Sequence, residues 1–246
     1  GSVLDYVTVE YGGEATAAIY LYEAVVRISN TIIRNNAMHG IAGGNHAWAN
    51  LANVTLEGNG TLAEHYPVYY ADGSANPTFV NITLTGNVNN VLASGSGTLA
   101  GAHVWEAAGA PYLLLGDVQV ANGASLTVQP GVEVRFAQHA AIDARGTLTA
   151  VGTADKPILF TGSTQQPGWW ENIAISGVSG AQNSTSVLEY VTLEYGGEAY
   201  ANLHLYEADV QVRHAIIRHS GSDGIYGGNR GVAHVSDTAF VNNGAG

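Results

Sequence analysis

Cysteine is missing from the chain altogether, which excludes a disulfide framework and any thiolate-ligated metal. Charge is scarce: Asp, Glu, Lys and Arg make up 11% of the 246 residues, with a single lysine, Lys156. Exposed helix faces normally carry Glu, Lys and Arg, so this shortage argues against helices. Positive charge is scarcer still. A net charge of −12 offers no basic face for phosphates and argues against nucleic acid as a partner. Long apolar runs are also absent: PYLLLG at 111–116 is far too short for a membrane-spanning segment.

What the sequence does have is glycine, 32 residues of it, and a copy of itself. The stretch SVLDYVTVEYGGEATAAIYLYEAVVRI at 2–28 returns as SVLEYVTLEYGGEAYANLHLYEADVQV at 186–212, an offset of 184. Between Ser2 and Asn45, 26 of 44 positions match their partners without a gap. Near-duplicates at fixed offset mean tandem units. The expectation is one full unit at 1–184, the start of the next at 185–246, and a piece cut from a longer protein.

A shorter period lies inside the long one. YVTVEYG (6–12), NTIIRNN (30–36), NVTLEGN (53–59) and NITLTGN (81–87) start 24, 23 and 28 residues apart. Each alternates apolar and polar residues, as strands do, and ends in Gly or Asn, which tolerate the left-handed backbone of a tight corner. A period near two dozen residues without helical pattern predicts an all-β solenoid with one coil per period. Side chains then stack in columns: Val7, Thr31, Val54 and Ile82 in one, Val9, Ile33, Leu56 and Leu84 in the next. Asn36, Asn59, Asn87 and Asn243 share a column whose amides can bond up and down the stack. Glu10, Arg34 and Glu57 share an outward one that alternates in sign, and Glu194 and Arg218 repeat its first two members. Segment 94–116 fits the template poorly and is expected to be an outward loop or a join.

SVLEYVTLEYGG followed by NLHLYEADVQVRHAIIRHSGSDGI resembles the right-handed parallel β-helix, pectin-lyase-like, modules of large bacterial cell-surface and secreted proteins. The run GDVQVANGASLTVQPGVEVRF…GTLTAVGT…PILFTG resembles a recurring element of the same proteins. The resemblance implies a single continuous β-helix over 1–246, of roughly ten coils and about 50 Å at the usual strand spacing. It further implies an extracellular or cell-surface location and no single activity. LANVTLEGN (51–59) and FVNITLTGN (79–87) also fit a leucine-rich repeat, but that fold wants a regular far side that is not visible here.

Candidate chemistry is thin. Resemblance to polygalacturonases would bring Asn-Thr-Asp, Asp-Asp and Gly-His-Gly motifs, and none occurs, so the chain is not expected to be an enzyme. Glu10 and Glu14 flank Gly12-Gly13, and Glu194 and Glu198 repeat the arrangement, which makes them candidate calcium ligands. The plainer account is solvated acids around a glycine corner, since the dense Asp spacing of repeat calcium sites is missing; no other cofactor is implied. The nine histidines lack ligand spacing shared by both copies and read as surface or turn residues. Tyr20, Tyr22, Trp48, Tyr69 and Tyr206 are candidates for an outward aromatic face that meets a glycan or a protein. Trp169-Trp170 reads as a corner cover. The function expected is a structural segment of an extracellular stalk, sheath, filament or adhesin, joined end to end with further copies. The alternative is a carbohydrate-binding or polysaccharide-degrading module.

Overall fold

The computed structural model describes residues 1–178, 180–183 and 185–244, which form 27 β-strands and no helix. The chain divides into two compact units, one of residues 1–96 and 108–113, the other of residues 97–107 and 114–246. In each unit the strands stack in parallel, one coil above the next, as a β-solenoid of about four coils in the first and six in the second. Strands on every side of the coil, with no helix among the described residues, remove the leucine-rich alternative.

In the first unit Ser2–Asp5, Val25–Arg34, Trp48–Glu57 and Phe79–Thr85 make one parallel sheet, with Thr8–Glu10 also paired to Val25–Arg34. Ala17–Tyr22, His39–Gly44, Val68–Tyr70 and Leu92–Ser94 make the other. In the second unit each coil has three sides. Gly97–Leu99, Val118–Val120, Ile142–Ala144, Ile173–Ser176, Ala201–Tyr206 and Asp223–Gly228 stack on one of them. Ala102–Trp105, Ser125–Val128, Thr147–Val151, Val187–Glu189, Asp209–Arg213 and Val232–Ser236 stack on the next. Glu133–Phe136, Ile158–Gly162, Val191–Glu194, Ile216–Arg218 and Ala239–Val241 close the coil. Segment 94–116 is not an outward loop. It holds the strands Gly97–Leu99, Ala102–Trp105 and Tyr112–Leu114, whose shortness hides their alternation in the sequence.

The columns follow from the register. Val9 faces Ile33, Ile33 faces Leu56, and Leu56 faces Leu84. In the second unit Leu193 faces Ile217 and Ile217 faces Phe240. Each coil can shield its apolar row only against its neighbours, so Leu193 and Ile217 are fully buried whereas Phe240, in the outermost coil, is 50% exposed. Trp170 is not a corner cover but a core residue, fully buried and stacked on Phe136 with centroids 4.0 Å apart. Gly196 makes room for it: a Cβ there would stand 2.7 Å from the Trp170 ring.

The corners are built from residues with positive φ. Tyr6, Asn30, Asn53 and Asn81 (φ 48–55°) turn successive coils of the first unit, and Tyr190, His214 and Asp237 (φ 48–50°) occupy the matching corner of the second. Left-handed backbone is rare outside glycine, and Asn and Asp reach it most readily. The first unit links this corner by amides: Asn30 donates to Asp5, Asn53 to Asn30 and Asn81 to Asn53, at 2.8–3.0 Å. The second unit stacks rings there instead, Tyr190 on His214 at 4.5 Å.

Candidate functional site

Asn36, Asn59 and Asn87 lie buried inside the first unit, each one residue past a corner. Asn36 Nδ2 donates to Asn59 Oδ1 (2.7 Å), and Asn59 Nδ2 donates to Asn87 Oδ1 (2.9 Å) and to the Ile33 carbonyl (2.9 Å). Asn36 Oδ1 also accepts the Gly12 N–H, so the ladder takes up backbone groups that leave the sheet at the turn. Asn243 sits in the corresponding column of the second unit, donating to the Ile217 carbonyl and accepting the Ser220 N–H. The amide of Asn202, on a neighbouring strand, bonds Gly196 N–H and the Leu193 and Arg218 carbonyls.

Three of the four carboxylates proposed for calcium are otherwise engaged. Glu10 pairs with Arg34 at 2.6 Å, and Glu198 with His139 at 2.5 Å. Glu194 is not a solvated acid. It is 4% exposed, pairs with Arg218 at 2.7 Å and accepts the Thr161 hydroxyl, because the coil beneath it covers the strand end that Glu10 leaves open. Glu14 is exposed. Among the described residues no three His, Asp or Glu side chains gather as a metal would need.

The aromatic residues do not form one face. Tyr20 and Tyr69 share a column with Ala42 between them, and Tyr22 lies opposite Gly44. Trp48 is on the other sheet, opposite Val25, because its strand belongs to a different side of the coil. Tyr206 lies in the second unit, between Ser176 and Gly228 in register. A tighter cluster was not legible as such: Tyr200, His204 and Tyr226, with centroids 4.6 to 5.5 Å apart. Its signal is an i, i+4 pair, 200 and 204, plus a residue one coil on.

Three histidines are interior rather than surface residues: His39, His65 and His103. His39 Nδ1 accepts the Tyr66 N–H (3.0 Å), and His65 Nδ1 accepts the Thr61 and Leu62 N–H groups (3.1 and 3.2 Å). Both neutral rings therefore carry their proton on Nε2, which leaves that nitrogen no lone pair for a metal. Burial, and then the repulsion between two imidazoles that His65 brings when both would be protonated, pulls the His39 pKa below the ordinary 6.5, and burial does the same to His103 and His204. In the unfolded chain these groups bind protons more readily, so their contribution is complete above about pH 6.5 and is lost as pH falls through the depressed values. Thermal midpoints measured against pH are expected to be level above that point and to fall below it, well before carboxylates titrate. In the variant His39→Asn, whose Oδ1 keeps the Tyr66 bond without titrating, part of the decline should vanish. An unchanged slope would contradict the assignment.

One further acid stands out. Burial, with Asp117 and Glu198 nearby, raises the pKa of Glu171, whose backbone is tied to Ala140 below and Gly197 above. A raised carboxyl is a property of general acids, but hydrolysis of a glycoside also needs a second carboxylate placed across the bond. Among the nearby acids Glu198 is held by His139.

A family model described as a pectate-lyase-like β-helix domain matches residues 97–203, a stretch that falls almost wholly in the second unit. Residues 97–203 thus resemble a pectate-lyase-like β-helix domain, and the parallel coils of both units are a β-solenoid. Over 50 residues, 20% of the chain, it is 42% identical to the protein bark beetle of Drosophila melanogaster, and it spans only 2% of that protein's length. No solved structure matches the chain.

Proposed function

We propose that this chain is a structural segment of an extracellular surface protein, a β-solenoid whose outermost coils are covered by further coils of the same repeat. The reading is supported above all by the side chains that bond coil to coil, the buried Asn36–Asn59–Asn87 ladder and the Glu194–Arg218 ion pair. Phe240 is 50% exposed and Val235 43%, although the positions beneath them, Ile217 and Val212, are fully buried. The strands Asp223–Gly228, Val232–Ser236 and Ala239–Val241 have a strand partner on one side only among the described residues. An edge of this kind, apolar on its inner row and unpaired along its backbone, is a template for another strand. The side-chain chemistry fits the same role, since the buried amides and ion pairs bond coil to coil. On this reading the coils have no catalytic duty.

Sedimentation velocity across a wide concentration range tests it. The expected result is association that grows with concentration and is abolished by Phe240→Glu with Val235→Glu, which places charge on the open rows. A monomer at every concentration, with both outermost coils strongly protected against amide hydrogen exchange, would overturn the reading.

A further inference from the structure

The two copies of the repeat pair one set of strands in the same register but differ on its outer face, and the difference is an internal control. On the strand Ala201–Tyr206 and its neighbour Asp223–Gly228, the rings of Tyr200, His204 and Tyr226 pack together. Tyr200 and Tyr226 lie nearly parallel (24°) with centroids 5.5 Å apart. Beside this cluster the surface stays open at Gly228, opposite Tyr206: a Cβ there would meet Tyr226 at 3.4 Å, Tyr206 at 3.8 Å and His204 Nε2 at 3.9 Å. Tyr206, Tyr226 and the His204 imidazole thus wall a shallow notch floored by glycine, Tyr200 extends the aromatic group through its contacts with His204 and Tyr226, and the three tyrosines are 40–50% exposed.

In the first copy the corresponding positions, 184 residues earlier, are Thr16, Tyr20, Tyr22, Ala42 and Gly44. Two of the four rings are replaced by Thr16 and Ala42, yet Ala17–Tyr22 and His39–Gly44 pair in the same parallel register. The coil therefore does not need the cluster in order to fold. A contiguous exposed aromatic group with no structural duty marks a binding surface.

We infer that Tyr200, His204, Tyr206 and Tyr226 form a binding platform for a neutral glycan, whose pyranose rings stack on the tyrosines over Gly228. Flat rings at this spacing suit the apolar face of a sugar, while phenol hydroxyls and imidazole nitrogens serve its hydroxyl groups. Charge selects among ligands. Burial keeps His204 below its ordinary pKa and so neutral at pH 7, Asp223 opens the neighbouring strand, and the chain as a whole carries −12. A polyanion meets repulsion here, and Arg230, two residues past Gly228, is already paired with Glu207 at 2.9 Å.

The test is titration calorimetry with neutral hexasaccharides (β-1,4-glucan, mannan and galactan) beside an anionic oligogalacturonide and tetramethylammonium. The variant combines Tyr200→Thr and Tyr226→Ala, the residues the first copy already carries, so the fold is kept and a melting curve verifies it. At least one neutral hexasaccharide is expected to bind, with affinity lowered tenfold or more in the variant and unchanged in Tyr20→Ala of the first unit. Absence of binding by all three, equal binding by the variant, or preference for either charged probe would overturn the assignment. Because the substitutions touch only the outer face, such a failure leaves the coil-stacking role standing.

Discussion

Trp170→Ala is expected to destabilise the second unit by about 4 kcal/mol, the middle of the range for large-to-small changes at a buried aromatic. Three losses act together. The indole is fully buried, so its removal leaves a cavity among coils whose stacked strands cannot easily close over it. The face-to-face contact with Phe136 at 4.0 Å disappears. The Glu194 carbonyl, which accepts the indole N–H at 2.9 Å, is left without that partner in a buried place. Denaturant unfolding followed by fluorescence reads the change in a background where Trp48 and Trp105 are replaced by Phe, so that Trp169, which keeps its own bond to Ser163, is the reporter. Gly196→Ala sets a second condition. In the native protein its Cβ would collide with the indole at 2.7 Å and with Asn202 Oδ1 at 2.8 Å, so it should be strongly destabilising alone and cost clearly less beside Trp170→Ala, where only the Asn202 contact remains. Additive effects would show that the ring and the glycine are not coupled.

Asn59→Ala is expected to cost about 3 kcal/mol in the first unit, chiefly through groups left unpaired. The side chain is fully buried and sits mid-ladder. Its loss strips Asn36 Nδ2 of an acceptor, Asn87 Oδ1 of one donor, and the Ile33 carbonyl of its amide. Asn36→Ala should cost less, because Asn36 closes the ladder on a single backbone N–H, that of Gly12. Equal effects at the two positions, read from denaturant midpoints at constant slope, would refute a ladder whose strength lies in its middle.

The columns were legible because a solenoid repeats one decision many times. Val9, Ile33, Leu56 and Leu84 each obey the same alternation, so a single wrong register would have scattered all four. The corners were less legible. Tyr6, Tyr190 and His214 adopt left-handed backbone that their side chains disfavour, and only the coils stacked around them make that conformation tolerable. Burial by a neighbouring coil was invisible for the same reason. Glu194 and Trp170 look like surface residues in a local window, and residues two dozen or more positions away enclose them. The buried histidines went unread because alternation reports apolar rows, whereas His39 and His65 are held by backbone N–H groups that no residue name reveals.

The corner columns carry a consequence for how two such similar sequences share one chain. Neighbouring near-identical modules are prone to exchange strands while folding. The charge column offers little defence, since Glu10–Arg34 and Glu194–Arg218 are interchangeable. The corners do differ: a strand bearing Asn30 seeks an amide or carboxylate above and below it, and one bearing His214 seeks the flat ring of Tyr190. A hybrid coil would set an amide against a ring and satisfy neither, so divergence at a few turn residues acts as a proofreading code for assembly.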